Sequence, residues 1–336
     1  MNDDRLTIKD AAQFVGEKKM QSAGRITPGV SGTIKKVVNA VEEHLWRRII
    51  LGTPFLWMLV FFLLPFLYVL QISLTELADA RPPYSEMFSW VEDTSLSIKL
   101  IFDNYRVLLE DDLYVIAYFN SVKIAFLATI SCLAIGYTMA YGIARATPKW
   151  RNILLLAVMM PFWTSFLLRV YAWMGLLANH GIVNNVLIWI GVIEEPLQIM
   201  YTDTAMYVVF IYAYLPFMIL PLYANLEKLD PTLDEAAADL GAGPVTVFLT
   251  ITLPLSLPGI IAGCMLTFIP AVGEFVVPIL VGGPENLMIG RVLYDEFLGN
   301  IDWPMASAVA TVLLLLLVLP FMVYTHFNNK LKAELP

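Results

Sequence analysis

Residues 226–259 read LEKLDPTLDEAAADLGAGPVTVFLTITLPLSLPG, and this stretch decides how the whole chain is interpreted. Its first half has the features of a short capped helix. Asp230 is a suitable N-cap, and Pro231 fits the first helical position. The pattern predicts a helix over 232–240. Gly241 can adopt the left-handed conformation that ends such a helix.

A second helix is predicted directly after the first. We expect Pro244 to open it, residues 245–252 to form it and Pro254 to close it, because proline fits the first turn of a helix and disrupts its interior. The three alanines at 236–238 leave one face of the first helix thin, so a partner protein can approach its backbone closely. The side chains expected to meet that partner with charge are Asp234, Glu235 and Asp239.

The composition places this helical hairpin in a membrane protein. Of the 336 residues, 58% are hydrophobic and 15% are charged, whereas a soluble domain averages about 45–50% and about 25%. The predicted fold class is therefore all-α, a polytopic membrane protein with six transmembrane helices. The six apolar runs are 49–75, 124–144, 152–177, 204–226, 258–281 and 303–329.

The rest of the chain divides around these runs. Residues 1–48 are a polar, basic tail whose apolar residues at 34–45 have helical spacing, which predicts an amphipathic helix on the inner membrane surface. Residues 49–329 form the six-helix domain, with the 225–256 loop outside the membrane, and 330–336 form a second tail. Residues 186–193 are apolar but too short to cross, which predicts a re-entrant or interfacial segment.

Charge sets the orientation. With an inside N-terminus, the inner segments hold 15 Lys and Arg residues and the outer segments hold 4. Both termini and the 225–256 loop are therefore predicted to be cytoplasmic. The outer segments also carry 16 acidic residues, and such a face attracts cations and repels anions. The alternative is that outer loops are acidic only because the inside takes the positive residues.

Several kinds of chemistry are not expected in this chain. Cys132 and Cys264 lie in apolar runs and are interpreted as packing residues, and the three histidines lack the spacing of metal ligands. The phosphate-binding pattern G-x-x-x-x-G-K-[ST] is absent. No metal site or cofactor is predicted here, and any ATP and Mg²⁺ should be bound by a partner ATPase.

The 226–259 stretch also contains a known motif: E-A-A, three residues, G, nine residues, then I-x-L-P. In this it resembles the permeases of ABC importers. The resemblance implies the type I importer-permease fold, and it implies that this loop sits in a cleft of the ATPase and transmits the closure of the ATPase to the spans. The residues that match the motif are Glu235, Ala236, Ala237, Gly241, Ile251, Leu253 and Pro254.

Three further segments, 151–177, 268–297 and 302–310, look like the permeases of spermidine/putrescine importers, the PotH type first and the PotB type second. The likeness covers residues 50–325. It implies a second permease in a heterodimer, two copies of an ATPase subunit, a periplasmic binding protein that delivers the polyamine, and a place in the bacterial inner membrane. It does not separate putrescine from spermidine.

Glu274 is the main candidate for substrate contact. An ionised side chain in the middle of a span costs roughly 2.5–3.5 kcal/mol on insertion scales. Pro270, Gly273 and Pro278 surround it, and broken helices are tolerated where the backbone is buried in protein or lines a cavity. A carboxylate there suits a diffusing ammonium group. The alternative is an internal ion pair with a basic residue of another span, Arg169 or Lys123.

Aromatic and acidic residues complete the candidate path. Trp163, beside Pro161, can hold an alkylammonium group by cation–π attraction, although such rings more often pack between helices or lie at the membrane interface. Phe275, Tyr294 and Asp295 are further candidates on the path. The cluster that could receive the binding protein or its cation, or be a solvated acidic loop, is Tyr294, Asp295, Glu296, Asp302 and Trp303.

The sequence thus predicts the membrane subunit of an ATP-driven polyamine importer that works by alternating access. One alternative is an importer permease for another small solute, and the acidic exterior argues against anions. Another is an ion-coupled secondary transporter that uses Glu274, for which a docking loop has no purpose. A third is a membrane anchor for an enzyme complex.

Overall fold

The computed structural model describes residues 49–91, 95–283 and 286–334. The predicted tail over 1–48, with its amphipathic helix, lies outside the described residues. The chain divides into two compact units, residues 1–68 and 69–336. In the first unit the described residues are helical, and most of them expose apolar side chains. They begin α1 (Ile49–Ser73), which contains a π-helical turn just before Pro65.

The second unit is built mainly from helices, which confirms the predicted all-α membrane fold. The helices after α1 are α2 (Asp103–Glu110), α3 (Asp112–Arg145), α4 (Pro148–Met159), α5 (Phe166–Leu177), α6 (Ile182–Trp189), α7 (Asp203–Leu226), α8 (Pro231–Asp239), α9 (Pro244–Val272), α10 (Val276–Leu280), α11 (Ile289–Tyr294) and α12 (Trp303–Glu334). A short antiparallel hairpin, β1 (Phe88–Val91) and β2 (Ser95–Ile98), precedes α2 and was not predicted.

Helix length and composition agree with the expected membrane class. Within the described residues, five stretches are long and apolar enough to cross a bilayer: Ile49–Ser73, Asp112–Arg145, Phe166–Trp189, Asp203–Leu226 and Pro244–Val272. A shorter apolar stretch, Trp303–Val318, lies in α12. Six apolar segments therefore remain, although their bounds differ from those expected.

The core lies where α3, α7 and α9 pack on one another. Small residues allow this close approach, because interfaces between membrane helices depend on tight van der Waals packing. Gly136 on α3 and Gly263 on α9 both face Met218 on α7, and a Cβ at either glycine would lie 3.0 Å or less from that side chain. The α3 side chains that are fully buried in this interface include Ala125, Ala128, Cys132 and Ala140.

The third predicted span, 152–177, is divided in the structure. α4 ends at Met159, a 3₁₀ turn covers Met160–Trp163, and Thr164 is extended before α5 begins. Pro161 lies in this turn, where its missing N–H leaves no gap in a regular helical ladder. The segment predicted over 186–193 begins earlier as α6, and together with α5 it forms the apolar stretch Phe166–Trp189.

The expectation that Pro254 ends a helix was wrong. α9 runs from Pro244 through Pro254 and Pro258 to Val272 without stopping. A π-helical turn over Phe248–Thr252 precedes Pro254. Wider i→i−5 pairing there shifts the backbone register just before the residue that has no N–H to donate. The fifth predicted span, 258–281, is correspondingly interrupted. Its helix ends at Val272, and the short α10 covers Val276–Leu280.

One end of the second unit carries the acidic residues Asp295, Glu296 and Asp302 and is called the acidic end below. It is held together by hydrogen bonds from α3. The Tyr114 hydroxyl donates to Glu296 Oε1 at 2.7 Å, and the Tyr118 hydroxyl donates to the Val309 carbonyl at 2.7 Å. The Ile289 N–H donates to the buried Ser121 hydroxyl oxygen at 2.7 Å. These bonds tie α3 to α11, to the π-helical turn Asp295–Gly299 and to α12.

Gly290 on α11 is a position at which added volume should be poorly tolerated. A Cβ there would lie 2.4 Å from the Gly273 carbonyl oxygen and 2.6 Å from that of Glu274. We expect Gly290→Ala to lower thermal stability by about 1–3 kcal/mol, because backbone has to move to relieve the overlap. The melting temperature of the purified protein in detergent measures this. Gly175→Ala is the control, because no atom lies within 4 Å of a Cβ there, and an equal melting shift in both variants would contradict the prediction.

Candidate functional site

α8 is built as its sequence predicts. The Asp230 carboxylate accepts a hydrogen bond from the Thr232 N–H at 3.0 Å and so caps the helix. The same backbone donor lowers the pKa of Asp230 below its ordinary value, because it stabilises the charged form. At the other end Gly241 has a φ of +85°, the left-handed conformation that reverses the chain toward α9.

Asp234 is partly buried and contacts other helices of the chain. Its carboxylate forms an ion pair with Arg145, the last residue of α3. The Thr252 hydroxyl on α9 donates to the other carboxylate oxygen at 3.3 Å. Asp234 therefore connects three helices, and the expectation that it also supplies charge to a partner stays a prediction. Arg145 gave no signal in the sequence, because its partner is 89 residues away.

A second arginine holds the neighbouring corner. Arg151 on α4 forms an ion pair with Glu227 at 2.7 Å, just after the end of α7. It also donates to the carbonyls of Ala144 and Ala146 at 3.1 and 3.5 Å, where α3 ends. The segment that leads into α8 is thus fixed to the corner between α3 and α4.

The remaining motif residues divide between surface and interior. Glu235 and Ala236 are exposed and Ala237 is partly buried, so the alanines leave an open face on α8. Leu240 is 91% exposed and Val245 is 70% exposed, which adds apolar surface beside the charge of Glu235. The motif residues on α9 are the partly buried Ile251 and Leu253 and the exposed Pro254.

Glu274 lies in the break between α9 and α10. Its Oε2 accepts a hydrogen bond from the Tyr214 hydroxyl on α7 at 2.6 Å. Its Oε1 accepts from the N–H groups of Phe275 and Val276 at 3.1 and 2.9 Å. The carboxylate is therefore satisfied by neutral donors, and it remains partly exposed. Tyr214 was not predicted to belong to this site, because a tyrosine in an apolar span resembles a packing residue.

The alternative partners of Glu274 lie elsewhere among the described residues. Arg169 stacks over the rings of Phe162 and Phe166, with its Cζ 4.9 and 5.5 Å from their centroids. Its Nε atom is buried and has no hydrogen-bond partner within the part of the chain that the structure describes. Lys123 is exposed on α3. Within these described segments, neither forms a salt bridge with Glu274.

The aromatic candidates fall into two places. Phe275 and Tyr294 stack with centroids 5.2 Å apart, which places both beside the Glu274 break. Trp163 is 73% exposed on the 3₁₀ turn after α4. Phe162 on that turn contacts Phe217 of α7 edge to face at 5.1 Å. The turn therefore packs on the same helix that carries Tyr214.

The acidic candidate residues lie at the acidic end. Glu296 accepts from Tyr114 and, at 2.8 Å, from Asn300. Asp302 caps α12 by accepting from the Met305 N–H at 2.9 Å. Burial, helped by the charge of Glu296, raises the pKa of Asp302 above its ordinary value. Asp295 is exposed and lies 3.8 Å from Arg291, so part of this acidity is neutralised internally.

Known proteins resemble this chain over most of its length. Residues 133–332 match the family described as "Binding-protein-dependent transport system inner membrane component". The spermidine/putrescine transport system permease protein PotB of Escherichia coli K12 is 40% identical over 284 residues, which is 83% of this chain and 98% of that protein. The PotB protein of Haemophilus influenzae is 38% identical over 299 residues, 89% of this chain and 98% of the relative.

A solved structure confirms the expected fold. A chain from a bacterial ABC transporter involved in the import of the acidic polysaccharide alginate superimposes with a TM-score of 0.65, covering 88% of this chain and 99% of that one. Its sequence identity is 17%, so the likeness concerns the fold alone. The relatives named here are of the PotB type, and the expected order of PotH before PotB stays a prediction.

Tyr214→Phe tests whether the hydrogen bond to Glu274 stabilises the break. We expect a loss of about 1.5–3 kcal/mol of stability, because the variant removes a donor from a charged acceptor and leaves its ring in place. The melting temperature in detergent measures the loss. Tyr212→Phe, on the same helix with its ring against Trp173, is the control. Equal melting temperatures for Tyr214→Phe and the unmodified protein would show that the bond contributes nothing.

Proposed function

This chain belongs to the family of binding-protein-dependent transport system inner membrane components, and on that premise we propose that it is the membrane subunit of an ATP-driven polyamine importer. It is a transport subunit of the bacterial inner membrane, not an enzyme. The observation that carries the polyamine assignment is the match at 38–40% identity with spermidine/putrescine permeases over most of both chains.

The proposed mechanism is alternating access. The permease makes and breaks no covalent bond, and its contribution is to bind substrate differently in two conformations. Its partners are a second permease, two copies of an ATPase and a periplasmic binding protein. In this arrangement both termini and α8 face the cytoplasm, and the acidic end faces the periplasm, as the distribution of lysine and arginine indicates.

We assign the exposed face of α8 to the ATPase. Glu235 supplies charge there, Ala236 and Ala237 allow close approach, and Gly241 fixes the turn that presents the face. Leu240 and Val245 add exposed apolar surface of the kind that protein interfaces bury. The other motif residues, Ile251, Leu253 and Pro254, lie on α9, and we assign them the role of holding α8 in position.

The substrate path runs past the break at Glu274. Within the described residues the Glu274 carboxylate accepts from neutral donors, so no internal cation offsets its charge. That charge attracts an ammonium group, and the stacked rings of Phe275 and Tyr294 offer faces for its alkyl chain. We also include Trp163 and Asp295 in the path, the first as an exposed ring and the second as an exposed carboxylate. Arg169 and Lys123 are left out, because neither forms a salt bridge with Glu274 in the described residues.

Uptake by cells that express the whole importer tests the substrate class. Labelled putrescine should enter only when this chain is present. Unlabelled putrescine and spermidine should compete, whereas sulfate should not. Uptake that sulfate blocks and polyamines leave unchanged would contradict the proposal.

Glu235→Lys should separate ATP hydrolysis from transport. The reversed charge disturbs the surface at which the ATPase docks, and like charges across an interface cost several kcal/mol. We expect ATP hydrolysis by the purified complex to continue while uptake falls at least about tenfold, the factor for 1.4 kcal/mol. The control is Asp79→Lys, which changes an exposed carboxylate outside the motif. Normal coupled uptake by Glu235→Lys would remove the docking role.

Glu274→Gln should reduce polyamine uptake with the complex intact. The amide oxygen can still accept from the N–H groups of Phe275 and Val276, and its NH2 can donate to the Tyr214 hydroxyl oxygen. The amide carries no charge for an ammonium group, so we expect a loss of roughly 10–100-fold, comparable to 1.5–3 kcal/mol. Uptake and co-purification of the subunits are measured together. Glu195→Gln, an exposed carboxylate before α7, serves as the matched control. If Glu274→Gln prevents assembly, its role is structural.

A further inference from the structure

As far as the described residues show, α3 is the one helix that side-chain bonds tie both to α8, which we assign to the ATPase, and to the acidic end of the protein. It runs from Asp112 to Arg145, 34 residues with no proline. At 1.5 Å per residue this is roughly 50 Å, more than the thickness of the bilayer core. An uninterrupted ladder of backbone hydrogen bonds makes such a helix stiff along its axis.

At one end α3 is attached to α8. The Arg145 guanidinium pairs with Asp234, and the two side chains are 36% and 24% exposed. The same guanidinium lies over the Tyr141 ring at 5.5 Å, and Thr252 holds the other oxygen of Asp234. A partly buried, hydrogen-bonded ion pair separates less readily than a solvated one. A displacement of α8 therefore pulls the end of α3 with it.

The first turns of α3 are attached to the acidic end of the protein. Tyr114 donates to Glu296 in the turn that follows α11. Ser121 accepts from the first N–H of α11, and Tyr118 donates to the backbone of α12. These bonds connect α3 to both helices that flank the acidic cluster and, through α11, to the Gly290 contact with the backbone of the Glu274 break.

α9 is a poorer route, although it follows α8 directly in the chain. Its π-helical turn at Phe248–Thr252 and its prolines at 254, 258 and 270 interrupt the regular ladder. Such places absorb bending in a helix. α7 carries prolines at 216 and 221. A displacement of α8 is thus weakened along α9, whereas α3 transmits it as a rigid body.

We propose that α3 is the lever that carries movement of α8 to the acidic end of the protein, with Asp234 and Arg145 as the joint at one end and Tyr114 and Glu296 as the joint at the other. This rests on the proposed function, since it assumes that an ATPase moves α8. The four residues are positioning residues that act through α3 and touch neither ATP nor substrate. Both joints have to hold for movement at one end to reach the other.

The test compares two conservative variants of the assembled importer, Asp234→Asn and Tyr114→Phe. The quantity measured is solute transported per ATP hydrolysed in proteoliposomes. Each variant should lower this ratio about fivefold, the lower end of typical coupling effects. The double variant should lower it no further, because one broken joint already disconnects the lever. Independent effects would multiply to about 25-fold, and that result, or unchanged ratios in the single variants, would overturn the proposal.

A second readout does not depend on the cargo. Leu298 lies in the turn after α11 and is 57% exposed. In a background with Cys132→Ala and Cys264→Ala, the rate at which Leu298→Cys reacts with a thiol reagent should change on adding ATP. Asp234→Asn should abolish this change. A change that persists in Asp234→Asn would overturn the lever, whereas failure of polyamine transport with the ATP response intact would overturn only the proposed substrate.

Two controls separate transmission from folding. Arg106→Gln breaks an exposed ion pair within α2 at 2.7 Å and should leave the ratio unchanged. If single variants at the α8 joint fail to assemble, the exchange Arg145→Asp with Asp234→Arg decides. A restored ratio supports the joint. An exchange variant that remains uncoupled or unassembled contradicts it.

Discussion

Backbone hydrogen bonding in a layer without water is the constraint on which this structure depends. Each unpaired N–H or C=O group in hydrocarbon costs several kcal/mol, so the chain crosses as helices and breaks them only where other groups supply the missing partners. The Glu274 break illustrates this. Its carboxylate accepts from the N–H groups of Phe275 and Val276, the donors left free where α10 begins. The residue proposed to attract substrate is therefore also the residue that makes the break tolerable.

The same constraint distributes stiffness and flexibility. α3 keeps its ladder from Asp112 to Arg145, whereas α9 accommodates its prolines with a π-helical turn and α4 ends in a 3₁₀ turn at Pro161. Stiff and interrupted helices lie side by side in one core, around Met218 and its two glycine neighbours. A transporter that alternates between two conformations needs both kinds. Rigid elements move as units, and the interruptions between them absorb the change in shape.

Local features were predictable from the sequence, and long-range ones were not. The cap at Asp230 and the left-handed Gly241 depend on neighbours within a few residues, and both were predicted correctly. The end predicted at Pro254 was wrong, because the π-helical turn that keeps α9 continuous forms in a packed helix bundle. Asp234 was assigned to a partner, since nothing in the sequence places Arg145 beside it. The contact of Tyr214 with Glu274 was not predicted for the same reason, because the two residues are 60 positions apart in the chain.

The importer assignment and the polyamine assignment depend on different features of the chain. The family match and the docking role proposed for 235–254 do not depend on cargo, whereas the polyamine assignment depends on the relatives and on the charge at Glu274. ATP-driven transport of a polyamine can be measured in proteoliposomes that contain the complete importer, its binding protein and labelled putrescine. We predict accumulation that requires ATP and survives ionophores that collapse the ion gradients. Uptake that continues without ATP and stops when the gradients collapse would instead identify an ion-coupled carrier.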